Sequence, residues 1–109
     1  MPLSGSSKQN QDAGLYTGTN FERLTVGSTV RSLTAGQYTS GEFLAKRAFI
    51  TVSSASLRYK YNNEDPTASI GHIAHPNSVI TLLGSTNIKQ FRAIRTGTTS
   101  SVLDITYEF

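Results

Sequence analysis

The chain has 109 residues, 37% of them apolar, with no cysteine and a net charge of +3. That length predicts one domain with one modest core, and the missing cysteine excludes a disulfide framework or a thiolate metal site. No leader-like apolar run opens the sequence and no window approaches the ~18 apolar residues of a membrane span, so a soluble protein made in a cytoplasm is expected.

Residues 1–20 are rich in Ser, Gly, Gln, Asn and Thr, with Leu3, Leu15 and Tyr16 as the large apolar groups. Such a segment cannot by itself bury enough surface to offset its ordering entropy. It reads as an extended N-terminal arm that orders against a neighbouring subunit, with Leu15 and Tyr16 as anchors. Residues 21–109 then form the body.

From Phe21 onward the pattern is β. Phe21–Val26 and Thr29–Leu33 are short runs separated by the turn-capable Gly27-Ser28. Residues 34–45, with Gly36 and Gly41, read as a long loop or a poor edge strand. Arg47–Val52 puts Ala48, Ile50 and Val52 on one face. In Leu57–Tyr61, Leu57, Tyr59 and Tyr61 alternate with Arg58 and Lys60, which predicts aromatics in the core beneath a solvated basic face. Asn62-Asn-Glu-Asp-Pro66 breaks that strand. Ser78–Leu83 is a further strand closed by Gly84, residues 88–95 contain another, with Phe91, Ala93 and Arg95 opposite Arg92 and Ile94, and Ser101–Tyr107 is the last, with Leu103, Ile105 and Tyr107 inward. No apolar i, i+3, i+4, i+7 pattern persists, so no helix is expected. Seven or eight short strands predict an all-β fold, a single β-sandwich of jelly-roll or immunoglobulin-like topology.

Catalytic constellations are poorly supported. His72 and His75 form H-x-x-H, but between Gly71 and Pro76, in a loop rather than on a helix, with only Glu64 and Asp65 as nearby carboxylates. They read as loop residues bonding backbone groups rather than metal ligands. Asp65-Pro-Thr reads as a turn. No Gly-x-Ser-x-Gly elbow or phosphate-binding Gly-rich loop is present, so neither an enzyme nor a cofactor is expected. Between residues 46 and 95, seven cations stand against Glu64 and Asp65, leaving +5. Nucleic acid is disfavoured as the partner, because alternation separates the aromatics from Arg58 and Lys60. Those two cations, with Arg92 and Arg95, are instead candidate contacts to an acidic protein surface.

Arg47-Ala-Phe-Ile-Thr-Val52, Leu57-Arg-Tyr59, Asp65-Pro-Thr-Ala-Ser-Ile-Gly-His72, Phe91-Arg-Ala-Ile-Arg95 and Leu103-Asp-Ile-Thr-Tyr-Glu108 together resemble short β-rich virion structural proteins of tailed bacteriophages and prophages. The resemblance covers residues 44–108, excluding the arm and residues 21–43. It implies a capsid decoration (cement) protein or a head, neck or tail accessory, and no catalytic residues. The expected partner is the major capsid protein or another virion protein, the expected location the capsid surface, and the expected state a homo-oligomer, a trimer being one possibility. Arg92 and Arg95 are expected to pair at an interface or to brace the 65–72 loop. A glycan- or host-surface-binding module is the second reading, with Tyr16, Tyr38 and Phe43 as its uncommitted aromatics.

Overall fold

The computed structural model describes residues 17–109; the arm anchors Leu15 and Tyr16 lie outside them. The strands are β1 (Gly18–Val26), β2 (Arg31–Ser32), β3 (Thr39–Ser40), β4 (Phe43–Leu44), β5 (Arg47–Ser53), β6 (Leu57–Lys60), β7 (His72–Ala74), β8 (Val79–Leu83), β9 (Arg92–Arg95) and β10 (Ser101–Glu108). One short helix, α1 (Ser85–Gln90), joins β8 to β9.

Two antiparallel four-stranded sheets carry the fold, ordered β1-β10-β5-β8 and β2-β9-β6-β7, with β3 and β4 as a separate hairpin. Setting that hairpin aside, the chain passes to the other sheet at every connection except the β6–β7 hairpin, and the first strand pairs with the last. That is the strand order of a jelly roll, the first of the two topologies anticipated. Sequence patterns explain the walls. Leu24, Ile50, Val52, Ile80, Leu103, Ile105 and Tyr107 project inward from the first sheet, Leu57, Ala74 and Ala93 from the second, and Phe91 fills the interior from the junction of α1 and β9. Strict alternation along β5 and β10 puts every second side chain in that interior.

Among the polar groups buried in the described residues, the Tyr107 hydroxyl ties two segments together. Tyr107, fully buried, donates its hydroxyl to Glu22 Oε2 at 2.5 Å. The Glu22 carboxylate also accepts from Thr34 Oγ1 at 2.7 Å and Thr34 N at 3.2 Å, tying β1 to the segment after β2. Burial, and next the bond to Glu22, push the Tyr107 phenol well above its ordinary value.

Three expectations are revised. Residues 18–20, assigned to the arm, open β1, and Thr17 exchanges backbone hydrogen bonds with Phe109 (3.4 and 3.1 Å), so the body begins there. The region 34–45 is a turn followed by the β3–β4 hairpin, with Gly41 in the left-handed region at φ 60°. The absence of any helix is overturned by α1, which takes in Ile88–Gln90 and whose single buried residue is Ile88. Six residues are too few to display a helical repeat. Gly84 at φ 94° turns the chain out of β8, and Asn87 Nδ2 donates to Leu83 O at 2.8 Å across that turn.

Candidate functional site

Arg58, Lys60 and Arg92, read from the sequence as outward contacts, converge on the 61–71 loop. Arg92 Nη1 donates to Asp65 Oδ1 at 2.8 Å and Nη2 to Asn63 Oδ1 at 3.0 Å. Arg58 Nη1 donates to Gly71 O at 2.9 Å, and Lys60 Nζ to Glu64 Oε1 at 3.3 Å. The register explains the convergence: Arg58 and Lys60 lie on β6 immediately before the loop, and Arg92 pairs with Lys60 from β9. The bracing role holds for Arg92. Arg95 pairs with Leu57 at the far end of the same ladder and does not reach the loop.

Loop rigidity carries a cost. Arg58 Nε is buried without a hydrogen-bond partner, about 1–3 kcal/mol for such a group. Asn63 adopts φ 68°, and Gly71 adopts φ 136°, where a Cβ would stand 3.1 Å from Tyr59 O and 3.2 Å from Pro66 Cβ. Only glycine fits there. Backbone outliers held by surrounding contacts concentrate at functional positions.

The aromatic reading of β6 is corrected by the same geometry. Leu57 is fully buried and Tyr59 half-buried against Phe91 (centroids 5.6 Å), but Tyr61 is 41% exposed. Beyond Lys60 the chain leaves the sheet, so alternation no longer keeps the ring in the core. His72 packs on Tyr59 and Tyr61 at 5.4 and 5.9 Å, and His75 Nδ1 lies 2.7 Å from Ser56 Oγ. Both histidines therefore contact side chains rather than the backbone groups expected. Among the described residues no group of three or more His, Cys, Asp or Glu is placed to hold a metal ion. Of the aromatics assigned to glycan contact, Tyr38 is half-buried against Tyr107 (6.3 Å), Phe43 is exposed on the β3–β4 hairpin, and Tyr16 lies outside the described residues.

A second surface went unnoticed in the sequence. On the outer face of the β1-β10-β5-β8 sheet, Phe21, Thr106, Phe49 and Thr81 stand opposite one another in one row. Phe21 is 57% exposed and Phe49 42%, and Val79 and Leu83 on β8 are also exposed. The charges that alternation places on this face are paired. Arg23 binds Asp104 through Nε–Oδ1 (2.6 Å) and Nη2–Oδ2 (2.9 Å), and Arg47 binds Glu108 through Nε–Oε1 (2.8 Å). Asp104 is held below its ordinary carboxylate value by the hydrogen bond from Arg23. The signal was present in Arg47-Ala-Phe-Ile-Thr-Val52, where the outward position 49 is a phenylalanine.

No helix among the described residues is long and apolar enough to cross a membrane. Comparison with known proteins finds no family model, no curated protein and no solved structure that matches the chain.

Proposed function

We propose that this protein is a non-enzymatic bacteriophage virion structural protein, a capsid decoration or cement protein that binds and stabilises the major capsid shell. The observation that carries the assembly part of the reading is the outer face around Phe21 and Phe49: a threonine-bearing sheet face with four exposed large apolar groups and its charges internally neutralised. Contiguous exposed apolar surface marks protein–protein contact. The jelly roll is a fold used by viral capsid proteins, although also by lectins, so the fold raises the prior without deciding function.

The occupant of that face is a second copy of this chain. Copies carrying net positive charge repel, and the surface on which they meet with least penalty is one that contributes no net charge. Strands of nine, eight, seven and five residues span about 450 Å² of plane, and projecting side chains bring the pair to roughly 1,000 Å², the threshold for a specific interface. Thr17 pairs with Phe109 at the edge of the same sheet; on this reading Leu15 and Tyr16, which precede it in the sequence, engage the shell.

The test is a mass-spectrometric copy number in purified particles, combined with deletion of residues 1–16. Hundreds of copies per particle, with reduced occupancy but an intact fold after deletion, are expected. Absence from particles overturns the proposal. A copy number of six or twelve favours the neck or tail alternative.

A further inference from the structure

We infer that the cleft beside the 61–71 loop is a binding site for a neutral saccharide. The cleft is a solvent-open recess of about 530 Å³ lined by Lys60, Tyr61, Asn62, Glu64, Gly71 and His72. That is within the size range of small-ligand sites. Its β6 and β7 residues belong to the second sheet, while Tyr61 also lines a neighbouring recess with Val79, Thr81 and Leu83 at the β8 edge of the Phe21–Phe49 face.

The aromatic wall is oriented from the core outward. Phe91 is fully buried, Tyr59 stacks on it at 5.6 Å, and Tyr61 stacks on Tyr59 at 6.4 Å with 21° between planes. His72 also stacks with Tyr61, at 5.9 Å and 28°. The exposed tyrosine is thus a ring whose orientation is set before a ligand arrives, which lowers the ordering cost of binding.

The rim supplies polar groups of both kinds. Glu64 Oε1 accepts from Lys60 Nζ at 3.3 Å and from Asn62 Nδ2 at 3.1 Å. These bonds leave donor capacity on the ammonium and acceptor capacity on the carboxylate. Lys60 and Glu64 cancel in charge. The clamps from Arg92 and Arg58, with the restricted backbone at Asn63 and Gly71, hold the rim in place. A rigid first shell on a braced loop is how a binding site is preorganised.

A pyranose ring matches this arrangement. One face carries a patch of C–H groups that lies flat on an aromatic ring, while the hydroxyls around its edge both donate and accept. A nucleotide also stacks, but the cations around the loop are engaged by Glu64, Asp65 and Gly71 O rather than left for its phosphate.

The test is an amide NMR titration of the full-length chain with methyl glycosides of glucose, galactose, mannose and N-acetylglucosamine at millimolar concentration, beside a printed glycan array. Adenosine monophosphate is the anionic stacking control. The expected result is saturable shifts confined to residues 60–64 and 71–74 with at least one saccharide. Tyr61→Ala should weaken that binding about tenfold or more, and Tyr61→Phe, which keeps the ring face, should change it much less. Tyr61 is exposed, so the other amide signals should report an intact fold in both variants. The inference is overturned if no saccharide gives saturable shifts or array signal, if adenosine monophosphate alone binds, or if Tyr61→Ala binds like the unaltered chain.

Discussion

Substituting Phe49 by Asp is expected to abolish self-association while leaving the fold intact. A phenylalanine presents about 150–250 Å². At 57% and 42% exposure, Phe21 and Phe49 together offer roughly 200 Å² per copy, or about 400 Å² in a symmetric pair. At ~25 cal/mol per Å², their burial contributes about 10 kcal/mol before the costs of association, themselves about 4–15 kcal/mol. The two rings therefore decide whether a pair forms. Removing Phe49 from both copies forfeits nearly half of that gross gain and places an unpaired carboxylate in the contact. Dissociation should move at least a thousandfold, to about millimolar or weaker. Exposed substitutions usually change folding stability by less than about 0.5 kcal/mol, so the melting curve extrapolated to the monomer should barely shift. Sedimentation equilibrium over a concentration series gives the readout, with Thr98→Asp, in the exposed turn before β10, as the charge control. A monomeric unaltered chain at high micromolar concentration, or a Phe49→Asp variant that associates as before, refutes the reasoning.

Other expectations follow from the interior and the loop. The Tyr107 phenol titrates above its unfolded value, so the stability it contributes is complete below about pH 10 and is lost as pH rises beyond that; Tyr107→Phe should blunt alkaline unfolding followed by circular dichroism, at a cost of about 1 kcal/mol near neutrality for the lost bond to Glu22. Asp104 is depressed, so the support from its pair with Arg23 is present above pH 3.8 and fades as pH falls below it. In acid titrations Asp104→Asn should therefore show a shallower loss of stability. Gly71→Ala forces a Cβ to within 3.1 Å of Tyr59 O at a left-handed φ and should cost about 1–3 kcal/mol by thermal or denaturant melting. Arg92→Met should leave global stability within about 1 kcal/mol, because Asp65 is largely solvated, yet increase amide exchange in residues 62–66.

The amino-acid sequence alone determined the all-β character, the inward residues of β5 and β10, and the turn after β6, because alternation and turn chemistry are written within five or six residues. The tertiary structure decided the rest. Pairing of β1 with β10 joins segments some eighty residues apart, and local pattern does not choose which strand edges meet. The cations of β6 looked free because nothing in their neighbourhood along the chain shows that the loop folds back over them. Tyr61 is exposed although its alternation points inward, since the sheet ends one residue earlier. The Phe21–Phe49 row exists only once β10 lies between two strands distant in the chain: hydrophobicity is a property of each residue, whereas a surface patch belongs to the packing that brings residues side by side.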